Sequence, residues 1–168
     1  MNQDIEIIPL NKKPDYAPIL ASWSFMEWYG RRTIPFDINL KAYQERSKGL
    51  SIPRSFVALY KTMPVGMVSL KENDLWSRKD LNPWLASLFV HEKYRHLGIG
   101  GRLVDRVIRE AGEQNFSQIY LFLGHNEERD LGAWYRGRGW KYYESGLDND
   151  DLETEIYSYE TAAGIDGA

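Results

Sequence analysis

The chain has 168 residues, 43% of them hydrophobic and 27% charged, the make-up of an ordinary globular domain whose core needs no staples. With 21 basic against 24 acidic side chains the net charge is −3, so no global positive field draws in nucleic acid. Zero cysteines exclude disulfides, thiolate nucleophiles and cysteine-held metals.

Residues 1–6 lack the basic-then-apolar pattern of a secretion signal, and no apolar run is long enough to span a membrane. A cytoplasmic protein with no membrane and no nucleic-acid partner is expected. Ile5 and Ile7 alternate with polar neighbours and predict a short first strand. Tyr16, Ile19, Leu20 and Trp23 recur at helical spacing, with Asp15 placed to cap and Gly30 to stop the helix. A second helix is expected over residues 40–46, ending before Gly49. Residues 56–60 and 65–70 flank a turn containing Pro64 and predict a hairpin. Residues 84–90 form a longer buried strand. A helix follows over residues 98–111, with Leu103, Val104, Val107, Ile108 and Ala111 on one face, Arg102, Asp105, Arg106 and Arg109 on the other, and Gly112 as its stop. A strand at residues 119–123, a helix at 129–136 and a strand pair at 140–143 and 155–159 complete the order.

Such an order calls for an α/β (α+β layered) domain, a mixed central sheet of six to seven strands flanked by about four helices. A single domain over residues 1–160 and a flexible tail over residues 161–168 are expected.

Chemistry is concentrated where the buried strand runs through His91, Glu92, Lys93, Tyr94, Arg95, His96 and Leu97 into Gly98, Ile99, Gly100, Gly101 and Arg102. A basic, glycine-rich turn leading into a helix is an anion site, because free backbone N–H groups and the positive helix end face outward together. The Gly-Lys-Ser/Thr of a P-loop and the third glycine of a dinucleotide fingerprint are both missing. A plain tight connection, with glycines serving only packing, is the alternative.

The stretch Arg95-His96-Leu97-Gly98-Ile99-Gly100 resembles the Arg/Gln-x-x-Gly-x-Gly/Ala pyrophosphate loop of the GNAT superfamily, the Gcn5-related N-acetyltransferases. Trp134-Tyr135-Arg136-Gly137-Arg138-Gly139-Trp140 resembles that family's Leu-Tyr-x-x-x-Gly-Phe block. The likeness covers residues 84–143 through its motifs and residues 1–83 only through topology. It implies a GNAT-like fold, acetyl-CoA as donor, no metal, and direct acetyl transfer to an amine. Carried over, backbone groups of Leu97, Gly98, Ile99, Gly100, Gly101 and Arg102 would hold the pyrophosphate. Leu88 and Val90 would offer strand-edge groups to the pantetheine amides, and Arg95, His96 and Arg102 would line the phosphates. Tyr135 would protonate the departing thiolate, a task that suits a phenol neutral at pH 7.

Two family features are displaced. Residues 84–90 contain no acid to act as base, and the position seven residues before the tyrosine is Glu128, with Asn126 the nearest asparagine for a cofactor contact. Candidates for the base are Glu27, which continues the helical row of Leu20 and Trp23, and Glu72 or Asp74 after the third strand. An ordered water could also relay the proton. Trp23, Trp28, Trp76 and Trp84, beside Glu27, Glu72, Asp74 and residues 148–151, predict an aromatic and acidic pocket for a small cationic amine. A peptide or protein amine and a noncatalytic acetyl-CoA sensor are the alternatives, in a monomer or homodimer. His91, His96 and His125 lack metal-ligand spacing.

Overall fold

The protein is described by a computed structural model over residues 4–29, 34–123 and 130–165. Strands β1 (Ile5–Pro9), β2 (Arg54–Tyr60), β3 (Met63–Lys71), β4 (Trp84–Val90), β5 (Gln118–Phe122), β6 (Lys141–Leu147) and β7 (Glu153–Glu160) are accompanied by helices α1 (Ala17–Ser24), α2 (Phe36–Arg46), α3 (Ile99–Glu113), α4 (Leu131–Arg136) and α5 (Ala162–Ile165). They form a mixed seven-stranded sheet in the order β1-β2-β3-β4-β5-β7-β6. The chain divides into two compact units, one of Met1–Leu70 with Ser87–Val107, the other of Lys71–Ala86 with Ile108–Ala168.

In the first unit β1, β2 and β3 run antiparallel, with Ile7 opposite Ala58 and Val57 opposite Met67. Side chains alternate across such a sheet, so Val57, Leu59 and Met67 share a face. Leu20 and Ala21 of α1 and Tyr43 of α2 pack there as one apolar cluster. On the opposite face, the Arg106 guanidinium of α3 stacks over the Phe56 ring at 4.4 Å. Gly66 lies on that same face, and a Cβ there would stand 2.9 Å from the Phe89 carbonyl oxygen and 3.2 Å from Leu103. Only glycine lets β3, β4 and α3 come this close.

In the second unit β5 pairs antiparallel with β7, which pairs antiparallel with β6. The start of β4 joins β5 in parallel, Trp84 opposite Tyr120. Leu75, Leu81, Trp84, Tyr120 and Ile156 form its core, and the indole Nε1–H of Trp84 donates to the Leu81 carbonyl at 2.6 Å.

Several expected boundaries move for physical reasons. Pro64 lies inside β3, not in the turn, at a register shift between Ala58 and Leu59, a place where a missing N–H is tolerated. Asp15 gives no cap, since residues 14–16 form a 3-10 turn ahead of α1, and Gly30 lies outside the described residues. The second helix begins four residues early at Phe36, with Pro35 as its cap. Gly112 does not stop α3. It is helical, at a place where an added Cβ would fall 3.6 Å from the Thr161 Cβ, while Asn115, at φ 63°, ends the helix. The Asn115 and Phe116 N–H groups then bond back to Gly112 and Ala111, a Schellman closure. Residues 161–165, expected to fray, hold a short helix: the buried Thr161 hydroxyl donates to the Phe116 carbonyl at 2.5 Å, and the Thr161 N–H to that of Ser117.

Replacing Gly66 with Ala should cost about 1–3 kcal/mol through overpacking, and thermal denaturation should show a melting temperature lower by several degrees. Gly49→Ala is the control, because a Cβ there meets nothing closer than 3.8 Å. It should leave the melting temperature unchanged or slightly raised.

Candidate active site

β4 is built in two halves. Trp84, Leu85 and Ala86 are buried, whereas residues 87–90 are only half-buried. The change falls at Ser87, whose φ of 54° is left-handed, a conformation costly for a residue with a side chain. A left-handed residue within a strand marks a bulge, which bends the strand and interrupts its ladder. Leu88 and Val90 therefore sit on a half-buried stretch, as a strand edge that accepts an added chain requires.

The loop after β4 is anchored at both ends. The His91 N–H donates to the Val65 carbonyl at 2.9 Å, and the Arg95 Nε–H folds back to the Val90 carbonyl at 2.9 Å. Arg95 thus braces the strand end. Next come two left-handed residues, His96 at φ 65° and Gly98 at φ 74°, one on either side of Leu97. Turns of this kind make a backbone concave enough to aim successive N–H groups at an anion. The Arg102 N–H bonds to the Gly98 carbonyl at 3.2 Å, so Gly98 caps α3. The N–H groups of Ile99, Gly100 and Gly101 then fall in the first turn, where an α-helix provides no internal partner. A Cβ built on Gly98 meets nothing within 4 Å, so open space lies against the loop. The Arg102 guanidinium donates to the Ile5 carbonyl at 2.7 Å and ties α3 to β1. This donor set fits a pyrophosphate: backbone N–H groups, a helix start and room beside a glycine.

In the second unit, Asp130 caps α4 by accepting from the Ala133 N–H at 2.8 Å. Tyr135 in that helix is 7% exposed and packs edge-on against two indoles, with ring centroids 4.8 Å from Trp134 and 5.8 Å from Trp140. Burial pushes its phenol far above the ordinary range, and the Arg138 charge offsets this only in part. Tyr135 therefore stays protonated throughout the neutral and moderately alkaline range.

The acceptor candidates divide. Glu27 and Trp28 are exposed on the π-helical turn Phe25–Tyr29 that extends α1, and such turns recur at functional sites. Trp23 is half-buried and packs on Phe89 at 5.1 Å. In the other unit Glu72 and Trp76 are exposed, but Asp74 is bound by Lys71 at 2.5 Å. Trp84 is fully buried and belongs to the core, not to an acceptor wall as expected, because its ring fills the space under Tyr120 and Phe122. Asn126, Glu128 and His125 lie outside the described residues. Among the described residues no three His, Asp or Glu side chains gather as a metal site would, and no helix is long and apolar enough to cross a membrane. Sequence reasoning missed Ser87, whose one signal is a small polar residue interrupting an apolar run.

Comparison with solved structures finds the same fold at low identity. An acetyltransferase of the GNAT family from Staphylococcus aureus Mu50 matches with a TM-score of 0.63 and 23% identity, over 93% of this chain and 98% of that one. An aminoglycoside 6'-N-acetyltransferase complexed with coenzyme A matches with a TM-score of 0.71 and 16% identity, over 92% and 96%. A Salmonella typhimurium protein solved with its cofactor acetyl-CoA matches with a TM-score of 0.69 and 14% identity, over 94% of each chain. No curated protein sequence matches. The model of the acetyltransferase (GNAT) family matches residues 18–140, which hold both the loop at 95–100 and the block at 134–140, and the chain belongs to that family.

Proposed function

We propose that this acetyltransferase moves the acetyl group of acetyl-CoA to a small cationic primary amine, with Tyr135 as general acid. The observation that carries the donor is the entry to α3, where His96 and Gly98 are left-handed and open space adjoins Gly98. Backbone N–H groups from Leu97 to Gly101 hold the pyrophosphate, and the β4 edge at Leu88 and Val90 takes the pantetheine amides. Two solved relatives in fold contain coenzyme A or acetyl-CoA, which supports this donor.

Acetyl-CoA supplies the thioester. The amine nitrogen forms a bond to its carbonyl carbon, the carbon–sulfur bond breaks, and the sulfur takes a proton while the nitrogen gives one up. Tyr135 provides the sulfur's proton from its phenol, a group that burial keeps neutral. Glu27 or Glu72, both exposed carboxylates, or a water relays the nitrogen's proton. For the acceptor, exposed Trp28 beside Glu27 and exposed Trp76 near Glu72 suit a cation, through ring faces and Coulomb attraction.

Acetyl-CoA at 100 times its dissociation constant should stabilise the fold by about 2.7 kcal/mol and raise the melting temperature by several degrees. Gly100→Asp should fold, because an acid in the first turn suits the helix, and should lose that shift; a full shift in this variant overturns the loop assignment. Tyr135→Phe should lower turnover by roughly 10²–10⁴-fold with acetyl-CoA affinity unchanged. Wild-type turnover would instead return Tyr135 to packing. Because its phenol is held above the ordinary range near 10, the wild-type rate should rise with pH as the amine deprotonates and show no falling limb from Tyr135 up to about pH 10. In a panel of acceptors scored by CoA release, cationic amines should outrun neutral and anionic ones, with rates that fall as salt screens the attraction.

A further inference from the structure

The helix that carries Tyr135 is only six residues long and contains a glycine, Gly132. An isolated helix of this length has no stability of its own. Its placement must come from what it rests on, and that support is one face of β7. Glu155, Tyr157 and Tyr159 alternate along the strand and so point to one side. Both glycines that flank the Tyr135 segment approach this row. A Cβ on Gly132 would lie 2.8 Å from the Tyr157 hydroxyl oxygen, and one on Gly139 would lie 3.3 Å from the Tyr159 ring. Trp140, which touches the Tyr135 ring, also stacks on Tyr159 at 5.5 Å.

The centre of the row is polar. Tyr157 is fully buried, and its hydroxyl accepts from the Arg136 guanidinium at 2.7 Å and donates to the Glu155 carboxylate at 2.8 Å. Arg136 is the residue after Tyr135, so the bond fixes the rotation of the helix about its axis. Gly132 fixes its height, because any side chain there would lift the first turn off the oxygen. A charge-assisted pair of hydrogen bonds on one buried oxygen is stronger and more directional than apolar packing.

We propose that Tyr157 is a positioning residue: its hydroxyl, clamped between Arg136 and Glu155 beneath Gly132, sets the height and rotation of α4 and thereby aims the Tyr135 phenol. The inference rests on the general-acid role of Tyr135 and adds the group that holds it in register. Tyr157 touches no reacting atom. A displacement of about 1 Å in a catalytic group can cost up to roughly 10²-fold in rate.

A double-mutant cycle tests this on the intact chain. Tyr157→Phe should lower kcat by roughly 10–100-fold, leave KM for acetyl-CoA unchanged and keep the wild-type circular dichroism spectrum. In a Tyr135→Phe background the same substitution should change kcat by less than about twofold, because residues acting through one group are not additive. Gly132→Ala is the second probe. It should lower kcat when Tyr157 is present and lower it less in Tyr157→Phe, since phenylalanine lacks the oxygen at 2.8 Å and leaves the flexible end of Arg136, at 2.9 Å, for the new Cβ to meet. Glu155→Gln, which keeps an acceptor, should retain more activity than Glu155→Ala. Equal losses from Tyr157→Phe in both backgrounds, or unchanged kcat in Tyr157→Phe, would overturn the positioning role and leave Tyr135 as the acid. Wild-type turnover in Tyr135→Phe would overturn both.

Discussion

Much in this protein depends on one strained residue in the middle of a strand. Ser87 holds a left-handed backbone inside β4, at a cost of order 1 kcal/mol or more. Before it, the strand is a core element whose Trp84 fills the space under Tyr120 and bonds to Leu81. After it, the strand is half-buried and leads straight into the loop that caps α3. The strain is held in place from both sides. The Val65 carbonyl and Arg95 fasten the end of the strand, and the Pro83 carbonyl accepts from Tyr120 just before its start.

The charged groups near the loop are arranged for shape, not for charge. Arg95 braces Val90 and Arg102 reaches Ile5, so two guanidiniums that look available in the sequence are spent on backbone carbonyls. Arg106 does comparable work over Phe56. On the proposed reading, anion recognition falls to peptide N–H groups, which need no side-chain ordering when a ligand arrives. That proposed division suits a chain of net charge −3, which offers no overall positive field.

The sequence was legible where one local signal decided the outcome. All seven strands and four of the helices occur in the expected order, because hydrophobic period and glycine punctuation are local. The strand-to-helix turn was visible for the same reason, as glycines between a strand and an amphipathic helix. What stayed hidden depends on partners far away in the chain. Gly112 lies within α3, on the side that faces Thr161, where an added Cβ would meet it at 3.6 Å. Trp84 is core because residues from β5 surround it. Pro64 fits in a strand because the register shifts opposite it at Leu59. The support under Tyr135 was invisible too, since Tyr157 and Glu155 look like ordinary strand residues until β7 is laid against α4.

The position of β7 has a consequence for how the molecule is made. It follows β6 in the chain yet lies between β5 and β6 in the sheet, pairing with both. A ribosome releases β5, α4 and β6 before it releases the strand that joins them. Until β7 emerges, β5 has only β4 beside it, β6 has no strand beside it, and the six-residue helix with Tyr135 lacks its bond to Tyr157. Thr161, which bonds back to Phe116 and Ser117, emerges later still. Vectorial synthesis therefore completes the first unit's strands early and leaves the second unit open to the end. Any nascent chain stalled before residue 153 can present the glycine-rich turn, but not the Tyr157 hydroxyl that bonds Arg136 of the helix carrying Tyr135.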